Sequence, residues 1–594
     1  MKQFLKYVLA TVVGIGLWTL ILGIICMISL VGMSLSETPT TPVKKGSVLR
    51  IRLNGTLGER GGEDNPFIMI FQGDMEALGL DEVKKAIREA ATNDKVVGIY
   101  LEAGTTFAGA EPALLQELRQ SLVEFRESGK WILAYGEIFT TGTYYLASVA
   151  DKVVMHTEGM LDWHGMASQI MFYTDLMKKV GVEMQVFKVG TYKSAVEPYI
   201  NTAMSEANRE QVTSYLSSIW GQYLQEVGES RGLTTDVLNR AADTLLAMQP
   251  ACTAVEMGLV DTLAYIDGVK TMLRQQAEVD EDDDLHFVGV KDLLAVVEED
   301  DEDDLIAVYY ADGEIVDVEA QALAQDASIV GNTMVEDLKN LREDDDVKAV
   351  VIRVNSPGGS AFASEKIWRE VELLKAEKPV VVSMAGLAAS GGYYISCGAD
   401  KIIAEPTTLT GSIGIFGMVP DPSTLLNDKL GLHFDVVKTN KMSDFGTLGR
   451  PMNADEKSLM QAYVERGYDL FTRRVAEGRG LSQDSVDAIG QGRVWTGEQA
   501  LELGLVDGLG NLETAVREAA ALAELDKYAC ETYPAASDWL EMFMEQEKED
   551  YLTSHMKATL GEWYPALAAM KAMTNTRTLQ QAVYARVPYE IVIR

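Results

Sequence analysis

The chain has 594 residues, too many for one ordinary hydrophobic core, so two or more domains are expected. Hydrophobic residues make up 47% and charged residues 24%, as a folded protein requires. A formal net charge of -37 argues against a nucleic-acid partner, whose phosphates would be repelled, and more modestly against wide contact with anionic lipid. Cys26, Cys252, Cys397 and Cys530 lie far apart without C-x-x-C spacing, so neither a metal site nor a disulfide framework is expected, and no cofactor is implied.

Residues 7–33 hold no charged side chain and are rich in Leu, Ile, Val and Gly. That run is long enough to cross a bilayer as a helix. Lys2 and Lys6 precede it, which places the N-terminus in the cytoplasm and the remaining residues outside it; Lys44 and Lys45 on the far side weaken that bias slightly. A cleaved signal peptide is the competing reading, but the run exceeds a usual apolar core and no A-x-A site ends it. A linker, SETPTTPVKKGS, follows at residues 36–47.

From there the chain is written twice. KVVGIYLE (95–102) matches KAVVIRVN (348–355), and KWILAYGEIFTTGTYYLASVADKVVMH (130–156) matches KPVVVSMAGLAASGGYYISCGADKIIAE (378–405). AVEMGLVD (254–261) matches ALELGLVD (500–507). A duplicated domain follows. Between the copies, acidic runs at 278–284 and 298–304 flank LHFVGVKDLLAVV, and read as a solvated spacer. The expected division is an anchor and linker over 1–47, a first unit over 48–277, the acidic linker over 278–304, a second unit over 305–530, and an extension over 531–594.

Within the second unit, LIAVYY, AVVIRV and PVVVSM read as buried strands, the last opened by Pro379. SEKIWREVELLKAE is an amphipathic helix with Ile367, Val371 and Leu374 on one face. Strands alternating with helices imply an α/β fold with a largely parallel sheet. Beyond residue 520 the pattern turns helical, and YEIVIR at 589–594 is an expected edge strand.

Two glycine-bearing turns carry the chemistry. VNSPGGSA (354–361) follows a strand, and such a turn aims backbone N–H groups at one point, as an oxyanion hole needs; an ordinary tight turn is the alternative. AASGG places Ser390 between a strand and a helix, as a nucleophile or as a helix N-cap. A serine nucleophile needs a base. None of His156, His164, His286, His433 and His555 has a recognisable triad context, and no G-x-S-x-G elbow is present. A lysine serves if desolvation makes it neutral near pH 7. The repeat directs the search: 390 minus 249 is 141, so Ser390 falls opposite Thr141. Lys193 of the first unit falls opposite Ser443, and the first unit reads LEAGTTFAG where the second has the SPGG turn. One copy keeps the serine and the other keeps the lysine, as two halves of one site would; a solvated surface lysine is the alternative for Lys193.

VNSPGGSA, AASGGYYIS, TLTGSIGIFG (408–417) and GTYKSAVEP (190–198) together resemble the signal peptide peptidase A (protease IV) family, peptidase family S49, in its long, duplicated, membrane-anchored form. The resemblance covers nearly the whole chain. It implies tandem Clp-protease/crotonase-like domains of repeated ββα units, with Ser390 as nucleophile and Lys193 as general base. It implies a homotetramer in the bacterial inner membrane, its catalytic body periplasmic, that degrades spent signal peptides. The amides of Gly358 and Gly391 would form the oxyanion hole. Gly359, Thr410, Gly411, Ser412, Ile413 and Gly414 would line the substrate groove, where an extended peptide adds as a strand. Two other readings compete: a catalytically silent member that binds peptides or scaffolds an assembly, and an acyl-CoA enzyme of the crotonase type.

Overall fold

The computed structural model describes residue 18 and residues 41–61, 78–280, 283–297, 302–317, 328–535 and 583–586. Apart from Trp18, the expected membrane-crossing run at 7–33 lies outside these residues, as do the helical stretches beyond 535 and the edge strand at 589–594. Among the described residues no helix is long and apolar enough to cross a membrane.

The duplication expected from the sequence is visible element by element. In the first unit, strands Ser47–Gly58, Val96–Gly109, Trp131–Phe139 and Lys152–Leu161 lie side by side and parallel. In the second, Leu305–Asp312, Val347–Ser356 and Val380–Ala389 do the same, and the last also pairs with Lys401–Ala404 and Leu409–Gly411. Helices Leu80–Thr92 and Gly331–Glu343 match at 13 residues each. Helices Glu206–Arg231 and Ala454–Arg479 match at 26, and both end on a left-handed glycine.

The sheets are buried on both faces, which explains the unbroken β-branched runs. Along Val347–Ser356, Val350, Ile352 and Val354 face one apolar cluster while Ala349 and Val351 face another. Ile367, Val371 and Leu374 of helix Ala361–Lys375 are buried against the first of these clusters. Each such side chain, once fully buried, stabilises the fold by roughly 1.5–3 kcal/mol.

The expected boundary between first unit and spacer is corrected. Phe287 and Val288, inside the supposed linker, form a strand parallel to Ser47–Gly58. The second unit repeats this with Ala529–Tyr533 beside Leu305–Asp312. The apolar piece between the acidic runs is therefore a sheet edge of the first unit, because its hydrophobic residues complete that core.

A third sheet joins the two units. Its order is Ser328–Val330, Glu314–Val316, Gly358–Ser360, Val583–Arg586, Phe416–Asp421 and Glu183–Lys188. The last strand comes from the first unit and pairs antiparallel with Phe416–Asp421 of the second over six residues, Glu183 to Lys188. This exchange carries the chain of the first unit into the second.

Candidate active site

Ser390 sits where strand Val380–Ala389 meets helix Gly391–Ser396. Its backbone has φ 57 and ψ -111, a conformation rare for a non-glycine residue. The strand register accounts for this strain. Ala388 and Ala389 pair with Thr410 and Gly411 as Ile138 and Phe139 pair with Met160 and Leu161, each 250 residues earlier (388 − 138, 410 − 160). By that register Ser390 falls opposite Thr140, whereas the tyrosine pairs of the two helices put it opposite Thr141. The first unit thus has one residue more at this turn. There Thr140 is a relaxed N-cap, φ -78, whose side chain accepts from the Thr143 amide. The shorter turn of the second unit forces the residue between strand and helix into positive φ. The Ser390 side chain makes no capping bond, so the N-cap reading does not hold.

Its hydroxyl instead meets Lys193 Nζ at 2.8 Å, in the same chain. Both residues are fully buried. Lys193 arrives on the segment that follows strand Glu183–Lys188, and is pinned there by the Tyr192 N–H donating to the Gln491 carbonyl at 2.9 Å. A Cβ at Gly492 would lie 2.6 Å from Lys193 Cβ, so only glycine lets the lysine backbone pass. Burial alone pushes the amine down to about 7 from its ordinary 10.5. Its other contacts are the Ser412 carbonyl at 3.1 Å and the Ser412 hydroxyl at 3.0 Å. Both are neutral acceptors. A neutral amine that donates its two hydrogens to Ser412 leaves its lone pair for the Ser390 proton. The surface-lysine reading of Lys193 does not hold, and its counterpart Ser443 is exposed.

Gly391 opens the helix after Ser390, where an N–H has no acceptor within the helix. A Cβ on Gly391 would lie 3.0 Å from Gly358 Cα and 3.1 Å from Gly359 N, so the two glycine turns abut. The Gly358 N–H faces the Ser356 hydroxyl at 3.2 Å, the long end of the hydrogen-bond range.

The expected groove residues divide. Thr410 and Gly411 lie in strand Leu409–Gly411, which has Leu387–Ala389 on one edge and Val494–Thr496 on the other. With both edges paired they offer no backbone to a peptide, which corrects that expectation. Gly411 instead accepts from the Ser390 amide at 2.8 Å. Ser412 holds the lysine, Ile413 is buried in the core, and a Cβ on Gly414 would lie 3.2 Å from Lys193 Cδ. Together these residues form the floor beneath Ser390 and Lys193. Gly359 does lie on a strand that takes an extended segment. Gly358–Ser360 pairs antiparallel with Val583–Arg586, which also pairs antiparallel with Phe416 and Gly417. Phe416 and Gly417 close the quoted TLTGSIGIFG motif, so its end, rather than its start, presents an edge.

One buried charge cluster between the units was not legible in the sequence. Arg353, on strand Val347–Ser356, donates to Ser383 Oγ at 2.9 Å, to Glu59 at 2.8 Å and forms an ion pair with Glu117 at 2.6 Å. Glu117 also pairs with Lys84 at 2.7 Å, and Lys84 with Glu513 at 2.6 Å. These residues come from both units. Burial opposes the Glu117 charge, but Arg353 and Lys84 hold its carboxyl below the ordinary value.

The chain is similar to known proteins. The model of peptidase family S49 matches twice, over residues 124–280 and 372–526, and a Clp protease model matches 316–409. Protease 4 of Salmonella typhi is 36% identical over 514 residues, covering 85% of this chain and 81% of its own length. Protease 4 of Haemophilus influenzae is 32% identical, covering 84% and 83%. The chloroplastic serine protease SPPA of Arabidopsis thaliana is 31% identical, covering 80% and 69%. Two matched copies of one family model agree with the two structural units. The chain belongs to peptidase family S49, in the signal peptide peptidase A (protease 4) group, and carries the duplicated Clp-like α/β architecture of a peptidase.

Proposed function

We propose that the protein is a membrane-anchored serine endopeptidase that cleaves spent signal peptides and similar apolar peptides with a Ser390–Lys193 dyad. The observation that carries this reading is the 2.8 Å approach of Lys193 Nζ to Ser390 Oγ, with the amine held near 7. In the reaction, Ser390 Oγ attacks the peptide carbonyl carbon while its proton passes to Lys193 Nζ. The carbonyl oxygen becomes an oxyanion held by the amides of Gly391 and Gly358, the latter exchanging Ser356 Oγ for the substrate. The C–N bond then breaks as Lys193 returns its proton to the leaving amine. Water, deprotonated by Lys193, attacks the acyl-enzyme ester, and the collapsing intermediate releases Ser390, which takes the proton back.

The pairing of Val583–Arg586 with Gly358–Ser360 and Phe416–Gly417 supports an extended substrate in the same place. The anchor reading rests on the uncharged run at 7–33. The test is a serine-reactive fluorophosphonate followed by peptide mapping, with cleavage of an apolar peptide assayed in parallel. Label is expected at Ser390, and Lys193→Met should lower both labelling and cleavage by about 10²–10⁴. Full peptide cleavage by Ser390→Ala would end the assignment.

A further inference from the structure

Gln211 lies on helix Glu206–Arg231 of the first unit and is 0% exposed, although its side chain is an amide. Burying such a group is costly unless its donor and acceptor both find partners. Gln211 Nε2 faces the Tyr192 carbonyl at 3.0 Å, Ser194 Oγ at 3.0 Å and Asn208 Oδ1 at 3.1 Å, and shares its two hydrogens among these three acceptors. Tyr192 and Ser194 are the residues on either side of Lys193. Gln211 Oε1 accepts the Val494 N–H of the second unit at 3.2 Å. Val494 begins the strand Val494–Thr496, which ends the second unit's sheet, and it stands opposite Gly411, whose carbonyl holds the Ser390 amide. One side chain thus joins the backbone around the lysine to the strand beneath the serine.

The direction of this amide is fixed from behind. The buried carboxylate of Glu197 accepts from Asn208 Nδ2 at 3.1 Å and from the Ser205 N–H at 3.1 Å. Asn208 must therefore turn its Oδ1 to Gln211, which answers with Nε2 and so aims Oε1 at Val494. On the outer side the Arg493 guanidinium stacks over the Tyr192 ring, 4.7 Å from its centre, and pairs with Glu210 at 2.9 Å. The repeat shows the amide keeping company with the lysine. The two 26-residue helices start 248 positions apart (454 − 206), so Gln211 falls opposite Leu459, which is 60% exposed, in the copy that has Ser443 in place of Lys193. We propose that Gln211 is a positioning residue for the hydrolysis: it sets the approach of Lys193 Nζ to Ser390 Oγ by gripping the segments that carry both. The proposal rests on the dyad reading given above. A misplacement of about 1 Å in such an approach costs about 10²-fold in rate.

The experiment uses the full chain in mild detergent and an apolar peptide, with kcat expressed per site titrated to completion by fluorophosphonate. Gln211→Met keeps the length of the side chain and removes its hydrogen bonds. Its kcat per titrated site should fall by about 10- to 10²-fold, with KM within about twofold of the parent's and labelling of Ser390 slowed by the same factor as kcat. Asn208→Ala leaves Gln211 in place but frees its amide to turn, and should lower kcat by about threefold to tenfold. A thermal melt of each variant reports folding, and Lys193→Met is assayed alongside. With Lys193→Met inactive, parental kcat per site in Gln211→Met, or a loss confined to KM or to the melting temperature, would overturn this proposal alone. If Gln211→Met shows no melting transition, parental kcat in Asn208→Ala does so in its place. Parental kcat in Lys193→Met would end the dyad reading, and this proposal with it.

Discussion

Burial lowers the Lys193 amine to about 7, and this has consequences for both rate and stability. In the proposed mechanism Lys193 is the base and must be unprotonated, so kcat/KM of the full chain should rise with pH through about 7 and level off above it. Its effect on stability has the same origin. The folded amine, near 7, binds protons less readily than the unfolded one near 10.5, so folding stability rises with pH between these values. Lys193→Met removes that penalty. Its melting temperature should exceed the parent's at pH 7 and below, and the gain should fade toward pH 10.5, as calorimetry across that range would read. Equal melting temperatures at pH 7 would mean that the lysine is not held neutral. The strained Ser390 backbone gives a second prediction. One glycine inserted between Ala389 and Ser390 restores the turn length of the first unit, and should preserve the fold while abolishing fluorophosphonate labelling.

At the scale of elements, the strand Val583–Arg586 occupies the two edges where the proposed peptide substrate would add. A chain ending at residue 582 should show a lower KM for an apolar peptide at unchanged kcat, whereas an unchanged KM would place the substrate elsewhere. Most elements are legible in the sequence because their residues are buried on both faces: Val380–Ala389 reads as a strand from PVVVSM, and Ala361–Lys375 as a helix from its apolar spacing. Ser390 and Lys193 were legible for another reason, the loss of each in the opposite copy. The exchange of Glu183–Lys188 into the third sheet was not legible, since strand partners across units leave no local signal. The role of Thr410 and Gly411 was misread for a related reason. A motif names residues near a reaction but does not say which of their edges are already paired.

Across the whole molecule, the units are joined by a largely buried charge cluster. Arg353 and Glu513 come from the second unit, Lys84, Glu59 and Glu117 from the first. Removing one partner leaves a buried charge uncompensated, at a cost of roughly 3–5 kcal/mol. Arg353→Met should therefore lower the melting temperature and, through Ser383 on the strand that carries Ser390, reduce kcat more than it raises KM. A variant with parental kcat would show that the cluster holds the units together without setting the dyad.

The separation of hydroxyl and amine along the polypeptide, 197 positions, bears on biosynthesis. A ribosome makes the lysine-bearing half first, and that half lacks Ser390. In the proposed mechanism, hydrolytic power arrives only after the later half has emerged and folded against the earlier one. On that reading, a nascent chain cannot cleave its neighbours until the second unit has been made.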